Sequence, residues 1–249
     1  MTRLIDSPIA LLGVLFTALL VVVEIGYRVA LQTSANEKEY LHDEIVAARD
    51  GISVLLSLLL AFTLAMVTTR YDTRKQLIVE EANSIETTML RAQMLAEPSR
   101  SRIQALLLEY LNARTSFSEA GFDEEKLKAS FFQAKQLLDE MWQQSLPDTQ
   151  QSPTPITSIF IQSLNQTSDL SERRLAALEN RIPGTLWAVL ILMSAMTCLL
   201  VGYSLRRRAL LVIFLWPLMI SSVLALNADL DSPRTGLIQI DQQSIERLR

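Results

Sequence analysis

Four runs free of charge, Ser7 to Val23, Gly51 to Thr69, Ile182 to Leu205 and Ala209 to Ala228, stand in two pairs around a long polar middle. A spanning helix needs about 20 mainly apolar residues to cross roughly 30 Å of hydrocarbon. Only helices and closed barrels satisfy their backbone groups there. The pattern predicts an all-α, polytopic membrane protein with four transmembrane helices and a helical soluble domain between the second and third.

The boundaries follow from where charge returns. Residues 1–70 form a first hairpin with spans near 7–27 and 51–69, and residues 71–181 form the soluble domain. Residues 182–228 form a second hairpin with spans near 182–205 and 209–228, and residues 229–249 are a tail. Arg3 ahead of an apolar stretch is a feature of secretory leaders. The run from Met1 to Val23 is long for one, however, and lacks a small-x-small cleavage site, so it reads as a retained first helix.

Neither proline nor a further glycine interrupts Gly51 to Glu97, which predicts one continuous second helix of roughly 70 Å that leaves the bilayer near Arg70. Pro98 is expected to end it. Two amphipathic helices follow, Ser99 to Ala120, stopped by Gly121, and Asp123 to Leu146, capped by Asp123. Pro147, Pro153 and Pro155 then mark a loop before a third amphipathic stretch from Ile156 to Arg181. Strand-like alternation occurs only at Leu237 to Ile240.

With both pairs crossing, the termini and the middle share one side. The basic residues near the span ends favour the cytoplasm for that side, although Arg206, Arg207 and Arg208 load the opposite loop. The expected location is therefore the cell inner membrane, multi-pass, with the middle domain and termini cytoplasmic. A net charge of −4 without a basic stripe argues against nucleic acid. The single Cys198 excludes an internal disulfide and a cysteine metal site. Glycine-rich phosphate loops, zinc-binding His pairs and nucleophile elbows are absent, so the chain reads as neither an enzyme nor a cofactor protein.

On the second span Ser53, Ser57, Ala61 and Ala65 recur every four residues. This small, partly polar face suits either a pore lining or close helix packing. Phe62 and Met66, one turn apart, suit an apolar constriction or ordinary core and lipid contacts. Beyond the span, Glu80, Glu81, Asn83, Glu86 and Arg91 give a polar face, for an aqueous vestibule or for structural pairing. Carboxylates spaced this way lack the ligand density calcium requires, so no metal is assigned. Glu24 and Arg28 have the order of an intrahelical pair. Asp229, Asp231, Pro233 and Gly236 look like a polar turn in which Asp side chains bond local amides.

Glu24-Ile25-Gly26-Tyr27-Arg28, Leu60-Ala61-Phe62-Thr63, Glu80-Glu81-Ala82-Asn83-Ser84-Ile85 with Leu90-Arg91, Glu109-Tyr110-Leu111 with Arg114, and Asp229-Leu230-Asp231-Ser232-Pro233 with Gly236 occur in that order. Together they resemble the bestrophin-like membrane proteins of bacteria. Bestrophins proper are pentameric anion channels whose second helix lines a pore and continues into the cytoplasm, and the layout here is similar to theirs. The resemblance implies a homo-oligomer in the lipid bilayer, a pentamer on that precedent, acting as an ion channel. No acidic cluster here corresponds to the bestrophin calcium clasp. Glu37, Glu39, Asp43 and Glu44 in the first loop would repel anions at an entrance, which leaves the sign of the ion open. The alternative is a non-conducting scaffold or sensor that binds a cytoplasmic partner through its amphipathic middle.

Overall fold

The computed structural model describes residues 8–33, 42–119, 124–151, 154–205, 207–232, 237–238, 240 and 243–248. Eight helices account for nearly all of them: α1 (Pro8–Gln32), α2 (His42–Ala92), α3 (Ser99–Glu119), α4 (Glu124–Gln151), α5 (Pro155–Glu179), α6 (Gly184–Ser204), α7 (Leu210–Asp231) and the short α8 (Gln243–Glu246). The described residues contain no strand, and Leu237 and Ile238 form a bend. The chain divides into two compact units. One holds Met1–Arg70 and Arg181–Ile238, the other Tyr71–Asn180 and Gln239–Arg249.

In the first unit four helices are long and apolar enough to cross a membrane: α1, α2, α6 and α7. α1 packs against α6 and α7. The core joins Leu19 and Val23, Leu56 and Leu60, Leu190 and Cys198, and Ile220 and Leu224, one pair from each helix. Tyr203 donates its hydroxyl to Thr33 Oγ1 at 3.1 Å, and Arg208, just past α6, donates to Glu24 Oε1 at 2.8 Å. The C-terminal turns of α1 and α6 therefore meet, and the two helices run parallel.

Their crossing is built on two glycines. A Cβ on Gly26 would strike the Leu199 carbonyl, and one on Gly202 would strike the Val23 carbonyl. Small residues at such a crossing let backbones approach where lipid supplies no hydrophobic force between helices.

The second unit is a helical bundle closed around Ile85, Ile103, Leu107, Tyr110, Met141 and Phe160. α3 packs on α4, α4 on α5, and α8 on α3. Thr154 caps α5 in a capping box with Thr157, and Pro155 follows at the first turn, where its missing N–H is harmless.

Three boundaries differ from the sequence reading. α2 begins at His42, so the polar stretch before Gly51 is already helical. It ends at Ala92, not Glu97, because the chain tightens through Met94 N–H to Arg91 O and Leu95 N–H to Ala92 O. That turn buries Leu95 in the core. Pro147 lies inside α4, which continues to Gln151. Gly121 and Asp123, proposed as stop and cap, lie outside the described residues.

Candidate functional site

The polar and apolar faces of α2 hold most of the residues singled out by sequence. Between Ser53 and Thr69, Leu56, Leu60, Thr63 and Val67 are buried at spacings of three and four, as one helical stripe facing a core requires. Phe62 is 63% exposed and Met66 39%, with Val54 and Leu58 also exposed. Ser53, Ser57 and Ala61 occupy a third position. They border an apolar trough of about 330 Å³ shared with Thr197 of α6 and with Trp216, Met219, Ile220 and Val223 of α7. Ser53 Oγ donates to Arg49 O at 2.6 Å and Ser57 Oγ to Ser53 O at 2.8 Å, so both hydroxyls are satisfied by their own helix.

Beyond the span the predicted polar face separates. Glu80, Asn83 and Thr87 border a polar cavity of about 430 Å³ with Gln166, Asp169 and Arg173 of α5. Glu86 is exposed, and Arg91 Nη1 donates to Ile159 O at 2.7 Å.

Glu81 is different: it is 0% exposed. Arg114 Nη2 reaches its Oε1 at 2.7 Å and Arg174 Nη1 its Oε2 at 2.6 Å, and the Tyr110 hydroxyl donates to Oε1 at 3.3 Å. Burial opposes the charge of Glu81, yet the guanidiniums of Arg114 and Arg174 outweigh it and hold the carboxyl below its ordinary value. Burial, and then the Glu81 charge, push the Tyr110 phenol well above its ordinary value and keep it a donor. Nearby, Ser84 and Thr88 share the Thr167 hydroxyl at 2.8 and 3.0 Å. The buried Arg74 donates to Ala177 O and Asn180 O, both at 3.1 Å, and so satisfies carbonyls at the end of α5. The arrangement links α2, α3 and α5 through one carboxylate and two arginines.

At the end of α7, Asp229 accepts from Leu237 N–H at 2.9 Å and Ile238 N–H at 3.2 Å, the local Asp-to-amide bonding that its position suggested. Asp231 instead reaches across the first unit, accepting from Ile182 N–H at 3.1 Å and from Arg70 at 3.4 Å. Pro233 and Gly236 lie outside the described residues. Glu24 accepts from Arg28 at 2.9 Å as expected, and Arg208 joins them while lying 5.6 Å from the Tyr27 ring.

Sequence reasoning did not single out Arg174, Arg74 or the Gly26–Gly202 crossing. The crossing left a signal: a Gly-Tyr pair ends both the first and third apolar runs, in a chain with seven glycines. Arg174 left none, since its partner lies 93 positions away.

A family model described as Bestrophin-like, Bestrophin-like domain, matches residues 14–245. No curated protein and no solved structure matches the chain.

Proposed function

Given that the chain belongs to the bestrophin-like domain family, we propose that this membrane protein is an oligomeric ion channel of the cell inner membrane. In this reading α2 from several copies, five on the bestrophin precedent, surrounds an axis. Phe62 and Met66 border the pore, Ser53, Ser57 and Ala61 stand on the side of α2 turned to α6 and α7, and Glu80, Asn83 and Glu86 face an aqueous vestibule. The middle unit and termini lie in the cytoplasm, and the protein is not an enzyme.

The observation that carries the reading is the exposed face of α2. Phe62 and Met66 stand one turn apart, uncovered by their own chain. Such a pair on a shared axis forms a hydrophobic constriction that gates by dewetting. Glu81 has no part in the vestibule, because its charge is already met inside the bundle.

The test is flux of potassium and of chloride through purified protein in liposomes, beside the mass of the detergent-solubilised particle. A ring is expected, with conductance raised in Phe62→Ala or Met66→Ala. An assembled ring that passes neither ion, in wild type or variants, rejects the channel. A monomer or dimer would favour the second reading, a scaffold or sensor with a cytoplasmic partner. Phe132, Leu108 and Leu90, exposed on the helical unit, favour that alternative.

A further inference from the structure

The trough between α2, α6 and α7 is lined by two residues, each with a buried polar atom that nothing described in the protein satisfies. Its wall is apolar, built by Leu56, Leu60, Leu64, Met219, Ile220 and Val223. Its volume of about 330 Å³ falls within the range of small-molecule sites. Thr197 and Trp216 also line the trough, and Thr197 Oγ1 and Trp216 Nε1 are both buried and both without a hydrogen-bond partner among the described residues. Thr197 as a whole is 0% exposed.

Thr197 departs from the behaviour of the hydroxyls around it. Thr17 donates to Gly13 O, Thr63 to Leu59 O, Ser194 to Leu190 O and Ser222 to Leu218 O, each to the carbonyl four residues back. Thr197 makes no such bond, and the indole N–H of Trp216 cannot accept one. An unmet donor in hydrocarbon is desolvated without return. A ligand bringing an acceptor would restore both.

The trough also has a direction. Arg49 Nη1 donates to Ser204 Oγ at 3.2 Å, which marks the polar end shared by α2 and α6. Thr197 lies about two turns inward from Ser204, and Trp216 about two turns inward from the start of α7 at Leu210. Along α2 the lining runs from Ser53 to Leu64, about 16 Å at the helical rise. A polar end, two donors below it and a long apolar wall follow the order of groups in a phospholipid: phosphate, ester carbonyl, acyl chain.

We propose that this trough is a lipid site, holding one acyl chain of a bilayer glycerophospholipid whose ester carbonyl accepts from Thr197 Oγ1–H and Trp216 Nε1–H. A carbonyl oxygen has two lone pairs and can serve both donors. A helix of a second copy would fill the space less well, because its backbone carbonyls are already bonded within the helix and its lipid-facing side chains are apolar. The lipid is the partner that supplies both the apolar length and the acceptor. The inference rests on the first unit alone and does not depend on ion conduction.

The test is native mass spectrometry of the full chain, purified in mild detergent. One phospholipid per protomer is expected to stay bound, and Thr197→Val with Trp216→Phe is expected to lower its retention by roughly thirtyfold, the effect of two ordinary hydrogen bonds. Circular dichroism checks that the double variant is folded. Should it not fold, two other measurements decide. Val223→Phe, which fills the trough from α7, is expected to release the lipid while leaving the mass of the assembled protein unchanged. A Trp142→Phe, Trp187→Phe protein, with Trp216 as its sole tryptophan, is expected to stay quenched by dibrominated phosphatidylcholine after transfer to unlabelled detergent. Wild type that keeps no lipid, or a folded double variant that keeps as much as wild type, overturns the site. Disassembly by Val223→Phe with no lipid in the wild type would give the trough to a neighbouring copy.

Discussion

Gly26 and Gly202 are the positions where a single carbon atom should matter most. At each, the methyl of alanine would meet a backbone carbonyl on the facing helix, and neither helix can yield locally because both backbones are bonded internally. Gly26→Ala or Gly202→Ala is expected to cost about 1–3 kcal/mol, the ordinary penalty of overpacking. Thermal unfolding in detergent would register this as a lowered midpoint. Gly51→Ala and Gly184→Ala are internal controls, since a Cβ there meets nothing within 4 Å, and they should not lower the midpoint. Glu81 is the second sensitive position. Glu81→Ala would leave Arg114 and Arg174 buried without their carboxylate, a loss of about 3–5 kcal/mol. Its pH dependence has a definite sign. The folded carboxyl titrates below its ordinary 4.5, so its contribution is complete above that value and disappears as pH falls through the folded value. Stability of the helical unit should therefore be level from neutrality to about pH 5 and fall below it, with a shallower fall in Glu81→Gln. Glu81 and Arg114 were both visible in the sequence as members of the family-like segments, but their pairing was not, because no helical periodicity relates positions on different helices.

At the scale of elements, the helices were legible wherever apolar spacing or charge-free length set them, and less so where a boundary depends on a tertiary contact. α6 and α7 lie within three residues of the runs that predicted them. The early end of α2 was not legible, since it follows from the burial of Leu95 against α3 and α4 rather than from any breaker before Pro98. Pro147 misled in the opposite direction. Read as a loop marker, it is instead exposed within α4, where water can satisfy the carbonyl that its missing N–H leaves unbonded. Its presence still carries a cost. Pro147→Ala should stabilise the helical unit by about 1–2 kcal/mol, the helix penalty of proline less its stiffening of the unfolded chain. A raised unfolding midpoint by circular dichroism checks this. An unchanged midpoint would mean that the last turn of α4 contributes no stability.

At the scale of the whole molecule, the second unit is assembled from two stretches of chain that the sequence separates by a pair of apolar helices. Residues Tyr71–Asn180 supply the bundle, and Gln239–Arg249 return to it. Ile245, 1% exposed, belongs to the same core as Ile103 and Leu107 of α3, with Ile240 and Leu248 packed at its margin. The two charge-free pairs announced the membrane unit, but which tail residues make this return was not legible, because three apolar residues spaced by five and three in a polar tail match neither a helical nor a strand period. The bundle therefore cannot be completed until residues 239–249 have been made, after α6 and α7. Removing residues 239–249 should leave the four apolar helices intact and open the core of the second unit. Ile245→Ala is the milder form, with an expected loss of about 2–5 kcal/mol from the cavity and the lost burial. Hydrogen exchange localises the effect: protection in α3, against which α8 packs, should fall, while α1 and α6 of the other unit should exchange as before. Unaltered protection in α3 after truncation would show that the tail rests on a bundle already complete without it.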